Sequence, residues 1–377
     1  MTTTSTDVLI LGGGVIGLTI ARELHKCGVK DITVLERGEC CREATWAAAG
    51  MLSPQAETDE TGPFFELCAR SRNMYPEVAA ALLAETGVEV DLDRTGTLCL
   101  ALNGNGAEEL IRRYDCQRKA GLEIERLTGQ QMRELEPYIS DRVDHGLYFP
   151  NDWQVENRKL AAALIEYGVR NDIRVLENTA AEELVVENGR VVGAATSVGE
   201  IRADTTVVAT GAWTSFIKME GTSLPVNVEP VRGQMVCLRS ADRALRHVVY
   251  THNGYLVPRR DGRILSGSTS ERVGFEKLTD EATVQRLAKF ASDMLPDAEL
   301  RVTDSWAGLR PGTPDGLPVI GGIAGLDGLM IATGHYRNGI LLAPVTGRLV
   351  AESIVNGVYD DVFSTFGPQR FAMAAVS

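Results

Sequence analysis

The 377-residue sequence contains no uninterrupted apolar run of about 18 residues, so no membrane-spanning helix is expected. Its start, MTTTSTDVLI, has no Lys or Arg ahead of the apolar stretch and does not read as a secretory signal, so a cytoplasmic location is expected. There is no basic run either. Lys and Arg number 38 against 51 Asp and Glu, a net charge of −13, which speaks against nucleic acid or a membrane surface as partner. A small anionic ligand stays open, because a local pair of arginines outweighs a distant acidic surface. The seven cysteines (27, 40, 41, 68, 99, 116 and 237) are odd in number and form no CxxC pair, which fits reduced thiols rather than a disulfide scaffold. Adjacent cysteines rarely bridge, so Cys40 and Cys41 read as incidental. The histidines (25, 145, 247, 252 and 335) make no HxH or HExxH pattern, so no metal site is expected. GxSxG and P-loop motifs, internal repeats and long linkers are also missing.

What is present points to two interleaved domains, since the chain is too long for one core. DVLIL (7–11) reads as a strand, GGGVIG follows, and LTIARELHKCG has helical spacing that Gly28 would close. DITVLER (31–37) is a second buried strand, completing a βαβ unit. Residues 41–56 read as a close-packed loop and helix start, and 64–86 as a helix. From about residue 88 the character changes to a strand (RTGTLCLAL) and two amphipathic helices. A helix over 156–171, the strand IRVLEN and a meander turning at Asn188–Gly189 and Gly199 follow. Residues 225–275 are strand-rich, with a hairpin at Asp261–Gly262, and 279–295 are helical. The expected fold class is α/β with an α+β second domain. A Rossmann-like dinucleotide-binding domain is assigned to 1–87, 150–224 and 301–377. A mostly antiparallel substrate domain is assigned to 88–149 and 225–300.

Gly12, Gly14 and Gly17 match G-x-G-x-x-G between a strand and a helix, and Glu36 ends the next strand 19 residues after Gly17. Gly12 allows the tight turn, Gly14 lets backbone approach a pyrophosphate, and Gly17 lets helix and strand pack. The diphosphate would sit on N–H groups at the positive helix end, and Glu36 would accept from the ribose. The chain does not continue as alternating βα units, as a nicotinamide enzyme usually does. VVATGAW (207–213) instead ends a strand in a glycine turn, typical of FAD proteins with two such motifs, with Gly211 passing close to the cofactor.

Two arginines stand in glycine-rich surroundings: Arg310 within WAGLRPGTPDGLPVIG (306–321), expected in a stiff loop, and Arg337 within GHYRNGILLAP (334–344), ahead of a buried helix. Singly, each reads equally as a surface charge or a structural ion pair. Together they suit a substrate carboxylate, which a guanidinium holds through two parallel hydrogen bonds.

GGGVIG…ER, TWAAAGML, GYLVPR, WAGLRPGTPDGLPVIG and GHYRNGILLAP together resemble the D-amino-acid oxidase superfamily of flavoproteins, over about residues 7–360. The likeness is greatest to its bacterial glycine oxidase branch, associated with the thiazole of thiamine. The resemblance implies that Arg310 clamps the carboxylate and that Tyr255 and Arg337 assist, with Met51 also on the substrate side. It implies FAD contacts at Val15, Ile16, Glu36, Arg37, Ala44, Thr45, Ala49, Gly50, Met51, Ala181, His335, Tyr336, Arg337, Asn338, Gly339, Ile340 and Leu341. Asn253 and Ser270 depart from the family's His and Met, which puts strict glycine preference in doubt. Gly308 stands near where sarcosine oxidases carry a flavin-linking Cys, so the flavin is expected to be non-covalent. Tyr255 and Met51 also read as core residues.

The implied reaction is hydride transfer from the substrate α-carbon to flavin N5, with no protein base required. The helix starting near Gly339, with Arg337, would stabilise negative charge on the reduced ring. Glycine would give glyoxylate, ammonia and hydrogen peroxide, with dioxygen as acceptor and sarcosine and small D-amino acids as further substrates. The resemblance also implies a homo-oligomer. Two alternatives stay open: a dehydrogenase or sarcosine oxidase-like enzyme of the same fold using another acceptor or substrate, and a non-catalytic FAD-binding assembly protein.

Overall fold

The computed structural model describes residues 4–58, 60–102 and 106–374, with side chains to residue 371; the extreme ends of the expected first domain, 1–3 and 375–377, lie outside them. The opening βαβ unit forms as its pattern requires. Strand β1 (Thr4–Leu11) leads through the glycine turn into helix α1 (Val15–Lys26), and β2 (Ile32–Leu35) returns parallel to β1. Four buried residues in a row in β2, ITVL, mark a strand covered on both faces.

Among the described residues, β1 and β2 belong to a ten-stranded sheet. β1 pairs in parallel with Gly199–Val208, which in turn pairs in parallel with Leu326–Thr333; β2 pairs in parallel with Arg174–Leu176. The meander 181–208 and the strand Val319–Ile323 add antiparallel partners. The second sheet has eight strands, antiparallel except where Val248–Thr251 runs parallel to Thr97–Leu102. It is covered by the helix Glu281–Met294, whose Leu287, Ala291 and Met294 enter its core with Leu256 and Ile264. The two architectures are those the residue pattern predicts.

One boundary differs. Residues 301–377 do not all join the first sheet: the strand Arg301–Gly312 pairs with Glu229–Arg239 along the edge of the second. Consequently Arg310 stands on a strand and not in a loop. The glycines and Pro311 misdirect the sequence reading because they sit where a strand tolerates them. Pro311 is opposite Pro230 at the end of an edge ladder, and Gly308 faces Gly233.

The C-terminal helix Gly339–Asn356 packs on α1, and both enter one apolar core through Val15, Ile20 and Leu24 on one side and Leu342, Val345 and Leu349 on the other. The close approach depends on Gly347, where a Cβ would lie 2.6 Å from Thr19 Cγ2 and 3.1 Å from the Thr19 carbonyl oxygen. The long helix Pro63–Thr86 fixes the other flank. Its Ser71 donates to the Leu341 carbonyl at 2.6 Å, and buried Tyr75 donates to that of Ile340. Gly347→Ala is therefore expected to cost about 1–3 kcal/mol by overpacking. Adding Thr19→Ser, which removes the crowded methyl, recovers part of it; thermal unfolding of the single and double variants checks both.

Candidate active site

A single cavity of about 610 Å³ runs from the glycine turn after β1 to the second sheet. At one end Gly12 has φ +110°, where side chains are disfavoured, and a Cβ there would strike the Ala209 carbonyl. Gly17 does not line the cavity. It serves packing, since a Cβ would lie 1.9 Å from the Gly12 carbonyl oxygen. α1 begins at Gly14 without a capping side chain, and only the Val15 N–H is taken, by Thr45 Oγ1 at 3.0 Å. Glu36 accepts from the Gly13 N–H at 2.9 Å and the Gly38 N–H at 3.0 Å, so the acid pins the glycine turn while its remaining lone pairs stay available to a hydroxyl. Arg37 lies 3.7 Å over the Trp213 ring, a cation–π contact the sequence reading missed. Gly211 opens onto the same space; a Cβ there would meet no atom within 4 Å.

The middle of the cavity is walled by Ala44, Thr45, Ala49, Gly50 and Met51, with Ala181 and Ile16 among the other anticipated residues that line it. Buried Arg259 braces this wall, donating to the Ala49 carbonyl at 2.7 Å and the Val155 carbonyl at 3.1 Å. Gly308 lies against Ala47, where a side chain would collide at 2.4 Å, and carries no thiol to bond a ring. The helix Gly339–Asn356 starts here with Asn338 as its uncapped N-terminal residue, so a second positive helix end meets the cavity. His335, Tyr336, Arg337, Gly339 and Ile340 line it, whereas Asn338 and Leu341 lie behind it. His335 is buried and held by Thr346 at 3.0 Å, and burial lowers its pKa to about 3, so it is a neutral structural residue. Two uncapped helix ends and an acid at the tip of β2 fit a dinucleotide; the walled middle fits a flat ring system beyond it.

The far end brings together Arg310, Tyr255 and Arg337, the residues expected to face a carboxylate. The Arg310 side chain crosses Gly233, where a Cβ would fall 2.3–2.5 Å from the guanidinium. It donates to the Thr269 carbonyl at 3.0 Å and Ser268 Oγ at 2.7 Å. A guanidinium has five N–H donors, so it is aimed without being exhausted. Tyr255 is buried, stacked on Tyr250, with its hydroxyl only on Met235 Sδ at 3.3 Å, a weak acceptor. It packs with Met235, Val257 and Trp306, as its reading as a core residue expects, and also lines the space.

Arg337 is the surprise. Its Nε lies 3.8 Å from Glu57 and its Nη2 donates to Tyr250 Oη at 3.3 Å. Burial pushes the Glu57 carboxyl upward while Arg337, Arg310 and Arg113 pull it back; Glu57 in turn raises the Arg337 guanidinium further. Burial, then Glu57, pushes the Tyr250 hydroxyl up to about 12. Nothing in the motifs pointed to Glu57, Tyr250, Ser268 or Gly233. Of the departures, Ser270 meets Tyr336 Oη at 3.2 Å, and Asn253 is exposed in the turn between Val248–Thr251 and Gly254–Pro258. Among the described residues no cluster of His, Cys, Asp or Glu could hold a metal ion.

Glu36→Ala is expected to weaken FAD binding about 10- to 100-fold, the scale of a lost charged hydrogen bond, while the chain stays folded. Titration of apoprotein with FAD, followed by flavin fluorescence, measures it; an unchanged affinity removes Glu36 from the site.

The chain is similar to known proteins in sequence and fold. The model of the family described as FAD dependent oxidoreductase (DAO) matches residues 7–353. Glycine oxidase of Pseudomonas aeruginosa is 36% identical over 92% of this chain and 94% of its own length. The bifunctional protein ThiO/ThiG of Synechocystis is also 36% identical, over 98% of this chain; the chain spans 54% of that longer protein. The crystal structure of glycine oxidase from Geobacillus kaustophilus superposes with a TM-score of 0.91 at 34% identity, over 98% of this chain and 99% of that one. This chain belongs to the family of FAD dependent oxidoreductases that includes these glycine oxidases.

Proposed function

We propose that this chain oxidises glycine, and with it sarcosine and small D-amino acids. The products are the 2-oxo acid, ammonia or an amine, and hydrogen peroxide, and the reaction feeds thiamine thiazole synthesis. The observation that carries the reading is Arg310. It is a guanidinium fixed on Ser268 and Thr269, with donors to spare, at the ring end of a flavin-shaped cavity. The names of the relatives supply the substrate.

When bound, FAD would supply the acceptor for a hydride from the substrate α-carbon and the route of those electrons to dioxygen. The chain's own residues orient and polarise. Arg310 receives the carboxylate through its free N–H groups, and Tyr255 gives up a weak sulfur contact to donate a stronger hydrogen bond to the same group. This fixes the α-carbon in the cavity, and orientation of this kind is a large part of catalysis. The end of the helix Gly339–Asn356 presents positive potential where negative charge develops, and Arg337 adds only what its pairing with Glu57 leaves. Among the described residues Glu57 is the one carboxylate in this part of the cavity, and its pairing with Arg337 favours a structural part over that of a base. FAD is held without a covalent bond, in keeping with Gly308. The enzyme acts in the cytoplasm as a homo-oligomer. Among the described residues no helix is long and apolar enough to cross a membrane.

Arg310→Ala is expected to retain FAD yet lose at least about 100-fold in kcat/KM for glycine, because a desolvated charge pair is removed. Arg310→Lys stays impaired, since an ammonium lacks the planar fork. Anaerobic bleaching of the flavin with glycine, sarcosine, D-alanine and D-proline measures both, and aerobic peroxide separates an oxidase from a dehydrogenase. Equal bleaching in the alanine variant would sink the assignment.

A further inference from the structure

We propose that Glu57 is a specificity-determining residue: its carboxylate neutralises Arg337, so the substrate end of the cavity accepts one acid group, on Arg310, and turns away substrates with a second. The proposal rests on the function proposed above and deepens it.

Two arginines in a cavity for an amino acid look like two carboxylate sites. The geometry separates them. Arg310 is tied to a hydroxyl and a carbonyl, neither of which cancels its charge. Arg337 is tied to an acid and a phenol, with Glu57 Oε2 3.8 Å from its Nε and Tyr250 Oη 3.3 Å from its Nη2. Among the described residues that line this end of the cavity, two cations face one built-in anion, a single net positive charge at the lining, with Arg113 behind Glu57 rather than in the wall. That matches a substrate with one carboxylate. A dicarboxylate would place its second acid against Glu57, where like charges repel.

Glu57 is also held in place. It ends the short helix Pro54–Glu57, whose Gln55 and Ala56 N–H groups donate to buried Asp152 at 3.2 and 2.7 Å. Buried Arg113 donates to the Ala56 carbonyl. The Glu57 side chain is only 9% exposed, against 37% for Arg337, so the acid is the less solvated partner and has little freedom to leave. Such a support serves a placed charge better than an adventitious surface acid.

The test compares glycine with iminodiacetate, which is glycine bearing a second carboxylate. Glu57→Gln is expected to raise the iminodiacetate-to-glycine ratio of kcat/KM by about tenfold or more, the scale of one charged hydrogen bond gained. Glu57→Asp, which keeps the charge, stays close to the parent ratio, and the double variant Glu57→Gln/Arg337→Gln loses the gain. A readout free of turnover is the dissociation constant of acetate against that of malonate, from perturbation of the flavin spectrum. The parent protein prefers acetate, Glu57→Gln narrows the gap, and Arg337→Gln, which leaves the acid unopposed, widens it. Unchanged ratios in Glu57→Gln, or a gain that survives in the double variant, would overturn the proposal. If glycine fails to bleach the parent flavin, the proposed function falls, but the acetate and malonate constants still decide the part of Glu57.

Discussion

The site depends on one packing contact. α1 and the helix Gly339–Asn356 touch where Gly347 meets Thr19, a contact in which even a methyl at 347 would force a shift. Because the two helices share a core there, their N-termini meet the same cavity from different directions. Each end carries unsatisfied N–H groups and a partial positive charge. Neither N-cap residue supplies a side-chain hydrogen bond, and Thr45 takes only the Val15 N–H of α1. Capping would satisfy the donors locally and stabilise each helix by about 1 kcal/mol. Leaving them bare gives up that stability and keeps two positive poles for a phosphorylated, electron-accepting ligand.

The second sheet brings a charge to this cavity from outside the first domain. The strand Arg301–Gly312 lies at the sheet edge nearest the cavity, and Gly308 and Arg310, two residues apart, share one face of it. Gly308 faces the wall at Ala47, while Arg310 reaches across Gly233 toward Ser268 and Thr269. Arg310 therefore needs an absence on the neighbouring strand. Any side chain at 233 would occupy the space its guanidinium uses. The placement of Arg310 thus depends on a diagonal neighbour across the ladder that carries no functional group.

Local features were legible in the sequence, and long-range pairings were not. The βαβ unit, Glu36 at the end of β2 and the helix start at Gly339 follow from periodicity, turn chemistry and glycine spacing, all of which act over a few residues. The placement of Arg310 failed because glycine and proline were read as loop signals. Only the antiparallel partner 229–239, some 70 residues away, turns that segment into an edge strand. Glu57 escaped for a related reason. It belongs to no motif, and its importance comes from Arg337, 280 residues further along. A charge acquires a role from its neighbours, and neighbours distant in sequence are what a single chain does not display.

The two arginines make the same point chemically. In the sequence they are equivalent: each stands among glycines, near the start or end of an apolar element. In the fold they differ in what they face. Arg310 donates to neutral acceptors, and Glu57 acts on it only at longer range. Arg337 faces Glu57 and Tyr250, so much of its field is spent within the protein. A guanidinium already paired does little for a second anion, because a new partner must displace or coexist with the old one in a partly desolvated space. A clamp is thus defined less by the presence of arginine than by the lack of a carboxylate beside it.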